Sequence, residues 1–216
     1  MDEKTIQKHL QTLREQAKER KFTQAVELIV NLKDINLKNP DEQVEFFMNV
    51  PVASGKKRVC AIVDTDLYDE AKKVCDTVIS VSELPDYQKD KKKVKQLANN
   101  HEFFIAQANI MGKVAGAFGR VLGPRGKMPN PKAGCVVPPK SSLGPLYDRL
   151  QSTVRIVAKK FPVIQVKVGD EKMSDEDLAK NIAYFYKQIE LHLPKERHNV
   201  RSAVLKLSMS APQKVL

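Results

Sequence analysis

The sequence predicts an α/β protein of two domains, one of them assembled from both ends of the chain. Three observations carry this reading. Near both ends, apolar residues alternate with polar ones beside amphipathic helices, the pattern of a half-buried sheet with helices on one face. In the middle, short continuous apolar runs alternate with helical stretches, the pattern of a parallel sheet covered on both faces. The first texture returns after the second has ended, so the middle is an insertion.

The elements follow in order. Ile6, Leu10, Leu13 and Ala17 recur at helical spacing and define an amphipathic helix over residues 3–19. Val26, Leu28, Val30 and Leu32 then alternate with Glu27, Ile29, Asn31 and Lys33, which reads as a strand with Glu27, Asn31 and Lys33 on its polar side. After a loop, Val44, Phe46, Met48 and Val50 share one face of a second strand. The small and basic stretch 52–57 reads as a linker. RVCAIV (58–63) is a run expected of a strand covered on both faces. A helix (66–74), a strand (Thr77–Val81), a lysine-rich helix (88–99) and a strand (Phe103–Ala106) follow, then a glycine-rich segment and a short helix near Leu143–Leu150.

From about Thr153 the alternation resumes, with Ile164, Val166 and Val168 opposing Gln165 and Lys167. Ser174 with Asp177 resembles a capping box and opens a helix in which Leu178, Ile182, Phe185 and Ile189 share a face. Pro194 follows its end. A last strand over Val200–Ser208 places Ala203, Leu205, Leu207 and Met209 on one side, with Val204, Lys206 and Ser208 on the other. Each flanking set supplies about two strands and one helix, and neither buries its apolar face alone. Together they predict a split α+β domain, residues 1–57 plus 156–216, with a four-stranded sheet and two helices. The β-α-β-α-β alternation between them predicts an inserted Rossmann-like parallel α/β domain, residues 58–155.

Composition narrows the function. The 216 residues are 42% hydrophobic and 29% charged, an ordinary globular balance, and the net charge is +11. Such an excess is the electrostatic footprint of a nucleic-acid binder, because lysine and arginine neutralise phosphates and release counterions. Cys60, Cys75 and Cys135 are an odd number at unrelated spacings, so free thiols in a reducing compartment are expected. No apolar stretch has the form of a signal peptide or approaches the ~18 residues of a membrane span. The expectation is a cytoplasmic protein with no membrane contact.

Lys113–Lys132, KVAGAFGRVLGPRGKMPNPK, concentrates the charge: Lys113, Arg120, Arg125, Lys127 and Lys132 stand there without an acidic residue. Its glycines and prolines predict a shaped, rigid, basic loop. Two residues separate Gly123 from Gly126 and no Ser or Thr follows Lys127, so it is not a phosphate-binding P-loop. The plainer reading is that the glycines let a helix and a strand pack closely. His9, His101, His192 and His198 are scattered, and neither a zinc motif nor a nucleophile elbow is present. No metal or other cofactor is expected. Two quieter patches lie at predicted strand ends: Lys21-Phe22 with Glu27, and Ser208-Met209-Ser210. An apolar surface beside hydroxyls and a lysine suits RNA; the alternative is that Phe22 and Met209 belong to the core.

KFTQAVELIVNLK (21–33), HEFFIAQANIM (101–111), VLGPRGKMPNPKAG (121–134), KVGDEKMSDEDLAKNI (167–182) and VLKLSMS (204–210) together resemble the ribosomal protein L-one family, the large-subunit stalk proteins, in its archaeal form. The resemblance covers essentially the whole chain. It implies a non-enzymatic constituent of the large ribosomal subunit that binds a folded rRNA element at the base of a mobile stalk and aids release of deacylated exit-site tRNA. It also implies a translational repressor that binds its own mRNA, monomeric when free. Carried over by position, the RNA surface is Lys21, Phe22, Glu27, Ser208, Met209 and Ser210, with Gln165, Lys167 and Gly169 as neighbours. Arg120, Arg125, Lys127 and Lys132 would be auxiliary RNA contacts or part of an inter-domain surface. In bacterial relatives the C-terminal strand end reads Thr-Met-Gly, so Ser210 stands here for glycine, and Ala25 stands where those relatives have Thr. The remaining alternative is a nucleotide- or phosphate-ligand enzyme built on the inserted domain.

Overall fold

The computed structural model describes residues 2–216. In chain order the elements are α1 (Glu3–Gln16), β1 (Ala25–Leu32), β2 (Val44–Asn49), β3 (Val59–Val63), α2 (Thr65–Val74), β4 (Thr77–Ser80), α3 (Leu84–Lys89), α4 (Lys91–Asn100), β5 (Phe103–Gln107), α5 (Met111–Leu122), β6 (Val136–Val137), α6 (Gly144–Ser152), β7 (Thr153–Ala158), β8 (Val163–Asp170), α7 (Asp175–His192), β9 (Val200–Leu207) and β10 (Gln213–Lys214). They form two compact units, Met1–Ser54 with Val154–Leu216, and Gly55–Thr153.

In the split unit, β10, β9, β1 and β8 make a four-stranded sheet whose pairings are all antiparallel. The alternation of β1 works as predicted: Val26, Leu28, Val30 and Leu32 are buried and the residues between them are not. α1 and α7 cover that face, and Ile6, Leu10, Leu13, Leu178, Ile182, Phe185 and Ile189 join the strands in one core. The first helix ends at Gln16 rather than residue 19, because Ala17 is already extended. The strand at 44–49 is not the fourth member of the sheet. It pairs with β7 in a separate two-stranded ribbon, and the fourth strand of the sheet is the C-terminal β10. The sequence hides β10 because a two-residue strand has no period to read.

Polar side chains tie α1 and α7 into this unit. Arg14 donates from Nε to Asp175 Oδ1 (2.8 Å) and from its other nitrogens to the Glu171 and Met173 carbonyls, tying α1 to the turn before α7. Ser174 caps α7 by accepting from the Asp177 N–H (3.1 Å), while its hydroxyl donates to the Asp177 carboxylate. Asn181, wholly buried, donates to the Val52 and Val168 carbonyls and accepts from the Val52 N–H.

The contiguous unit carries a parallel sheet in the order β4-β3-β5-β6, and all five residues of β3 are buried, as the apolar run predicts. The lysine-rich helix is two helices, α3 and α4. Asp90 stands between them and caps α4 by accepting from the Lys92 and Lys93 N–H groups. The glycine-rich segment is also not a loop throughout. Its first half is α5, with Val114, Phe118 and Leu122 one turn apart in the core. That buried stripe outweighs the helix cost of its glycines, about 1 kcal/mol each. A Cβ at Gly112, Gly116 or Gly119 would meet nothing within 4 Å, so close packing does not explain them. The turn proper begins at Gly123, and Gly126 holds the left-handed φ of 65° that favours glycine.

Candidate nucleic-acid interface

The interface is built where β1 begins and β9 ends, which antiparallel pairing places side by side. Gln24 is the organiser. It is 2% exposed, its Oε1 accepts from the Met209 N–H (3.1 Å), and its own carbonyl accepts from Glu171 N–H. Ala25 and Ser208 exchange two more bonds: Ala25 N–H donates to Ser208 Oγ, and Ser208 N–H to the Ala25 carbonyl, each 3.1 Å. The Ser208 oxygen therefore serves as an acceptor within the fold while its hydroxyl proton remains a donor for a partner. Ser210 closes the turn by accepting from Leu207 N–H and donating to the Ala211 carbonyl. The Ser210 side chain thus closes the turn after β9 on both sides.

On this scaffold Phe22 is 53% and Met209 59% exposed, so neither belongs to the core. Met209 departs from the predicted apolar side because β9 ends at Leu207 and the following turn carries it outward. Lys21 is exposed beside Phe22. On the outward face of the sheet, Glu27 stands opposite Lys167 on one side and Lys206 on the other. Lys167 pairs with Asp170 at 2.7 Å. Gln165 is exposed opposite Ile29, farther along the sheet. Gly169 is different: it is buried, and a Cβ there would come within 2.4 Å of Leu178 and 2.8 Å of the Met173 sulfur. It lets β8 pass under α7 rather than presenting a surface. Gln24 and Lys206 were missed from sequence, and only the Lys206 position, in the alternation of β9, carried a signal.

The basic residues of the contiguous unit divide in two. Lys113, Arg120 and Lys132 are exposed. Lys127 Nζ instead donates to the Ala98 and His101 carbonyls (2.8 and 2.7 Å), and Arg125 Nη1 donates to Asn99 Oδ1 (2.6 Å). Both close the C-terminal end of α4, where carbonyls lack partners and the helix dipole favours cations. Burial depresses the Lys127 ammonium below the ordinary lysine value; Glu102 opposes this and Arg125 adds to it. Asp64 accepts from Thr65 N–H as the N-cap of α2, so its carboxylate has an ordinary structural role. Among the described residues no cluster of His, Cys, Asp or Glu is placed to hold a metal ion. No helix there is long and apolar enough to cross a membrane.

These features define a class: a two-unit α/β protein with an antiparallel sheet made from both chain ends and a contiguous parallel-sheet unit. The chain belongs to the ribosomal protein L1p/L10e family, whose model matches residues 13–211. It is 41% identical over 216 residues to large ribosomal subunit protein uL1 of Methanothermococcus thermolithotrophicus, spanning 100% of this chain and 99% of that one. It is 40% identical over 205 residues to the same protein of Methanobrevibacter smithii, 94% of each chain, and 36% identical over 216 residues to that of Methanocaldococcus jannaschii, 100% of this chain and 96% of the relative. Membership in a family of ribosomal proteins sets aside the nucleotide-ligand enzyme.

Proposed function

We propose that the protein is a structural constituent of the large ribosomal subunit that binds rRNA at the base of a mobile stalk through the β1–β9 end of its split unit. The observation that carries this reading is the pair Phe22 and Met209, two large exposed apolar side chains at the adjoining ends of β1 and β9, Met209 anchored through its N–H to the buried Gln24, with Lys21 and the Ser208 hydroxyl as their chain neighbours. Exposed rings and thioethers lie against bases and sugars, a hydroxyl reads 2′-OH groups, and the lysine neutralises phosphate. The full-length likeness to large-subunit proteins of methanogens supports the site of action, the cytoplasmic ribosome. By the same surface the protein, monomeric when free, represses translation of its own mRNA where that RNA repeats the rRNA structure. On the ribosome it helps deacylated tRNA leave the exit site. Arg120 and Lys132 remain as auxiliary RNA contacts.

The test is RNA footprinting on total rRNA with purified protein, followed by titration of the protected element. A single folded element with an asymmetric internal loop is the expected footprint. Phe22→Ala and Met209→Ala are the clean variants, because neither side chain carries an internal hydrogen bond. Each is expected to weaken specific binding by about 1–3 kcal/mol, the scale of one stacked base. Arbitrary duplex RNA binding as tightly as the protected element would sink the reading.

A further inference from the structure

The opposite end of the split unit's sheet carries a second patch that the proposed rRNA site does not use. Phe161, at the tip of the β7–β8 turn, is 73% exposed, more than any other large hydrophobic residue among those described. It is not on a loose loop. Pro162 restricts the backbone before it to extended forms, and the Pro162 carbonyl accepts from the Leu32 N–H at 2.8 Å. The next residue of β1's exit, Lys33, donates its N–H to the Asn199 carbonyl, also at 2.8 Å. Buried Asn199 then donates to the Lys33 and Asp34 carbonyls and accepts from Lys195 N–H at 2.6 Å. Two turns, 159–162 and 195–199, are thus fastened to either side of the end of β1.

The charge at this end is strongly one-sided. Lys33, Lys160, Lys195, Arg197 and Arg201 are exposed there against Asp34 and Glu196, while Lys159 is engaged by Glu45. An exposed aromatic ring on a fastened turn amid cations has the chemistry of a single-stranded nucleic-acid platform. A-form duplex hides its base faces, so the complementary occupant is unpaired RNA. The eight residues of β1 separate this end from Phe22 by roughly 25 Å at strand rise, so one nucleotide does not serve both.

We propose that this end is a second RNA contact, which takes an unpaired segment by stacking a base on Phe161 while Lys160, Lys195 and Arg197 hold its phosphates. It rests on the reading of the protein as an RNA binder, but not on the β1–β9 end being the rRNA site. The test is fluorescence anisotropy with an unstructured labelled ten-nucleotide RNA, using free protein and protein saturated with the unlabelled stalk-type RNA. The oligonucleotide is expected to bind both forms. Phe161→Ala is expected to weaken it at least about fivefold, the low end of losing one stacked base, and Phe161→Tyr to restore it. Lys160→Ala with Arg197→Ala is expected to flatten the salt dependence. None of these changes is expected to alter binding of the stalk-type RNA, and all lie on exposed side chains, which an unchanged Tm verifies. Unchanged oligonucleotide affinity in Phe161→Ala overturns the proposal. So does complete displacement by the stalk-type RNA, or an acidic peptide showing the Phe161 dependence in place of RNA. Failure of Phe22→Ala to weaken the stalk-type RNA counts against the proposed function alone.

Discussion

Glu45 shows how much a single side chain can decide in the split unit. Arg155 donates to it at 2.5 and 3.1 Å from two nitrogens, and Lys159 pairs with its other oxygen. Burial alone would raise its carboxyl, but the hydrogen bonds and charges of Lys159 and Arg155 outweigh this and hold it below the ordinary carboxylate value. A carboxyl depressed in the folded state contributes stability above its unfolded value of 4.5, and that contribution is lost as pH falls through the folded value. Glu45→Gln is therefore expected to be less stable than wild type at pH 7, with the gap narrowing as urea denaturation is repeated below about pH 4.5. Asn181→Leu is expected to cost about 2–3 kcal/mol at any pH, since it strands the buried partners of the amide. A variant that denatures at the wild-type urea midpoint would refute that role. Neither residue announced itself in the sequence: Glu45 sits in an ordinary alternation, and Asn181 lies on a helix face otherwise read as apolar.

Elements with a long period were legible and short ones were not. β1, β8, β9 and α7 bury the residues that their periods predict. α3 and β10 escaped because six and two residues carry too little pattern. The second strand was legible as a strand but not as belonging to a separate ribbon, since alternation reports which face is buried and not which strands pair. The basic glycine segment misled in another way. Composition shows charge, but not whether a lysine reaches outward or folds back onto a helix end. Lys127→Met is accordingly expected to lower the stability of the contiguous unit by about 1–2 kcal/mol, through the unpaired carbonyls of α4, and to leave the salt slope of RNA binding unchanged. Calorimetry and salt titration of the same variant separate the two outcomes; a slope reduced by about one would return Lys127 to the phosphate contacts.

For the whole molecule, division into a split and a contiguous unit has consequences for expression in pieces. Residues 55–153 form a continuous chain with their own core, so that fragment is expected to fold alone, with a cooperative thermal transition by circular dichroism. Residues 1–54 are expected to remain unfolded without 154–216, because β1 lies between β8 and β9 in the sheet and has no other strand to pair with. A cooperative transition in isolated 1–54 would contradict this. The interface was legible only in part for the same reason. Phe22 and Met209 are 187 positions apart, and no local pattern says that a buried Gln24 joins them.

The open space beside Gly112, Gly116 and Gly119 bears on how this protein tolerates heat. Alanine fits each site, and helix propensity alone would add about 1 kcal/mol per exchange. The chain thus carries an unused reserve of thermal resistance along three successive turns of α5. A triple Gly→Ala variant is expected to melt several degrees higher. If RNA affinity is unchanged at that higher Tm, the bare backbone is dispensable; if it falls, this helix has been keeping its surface flat for something that lies against it.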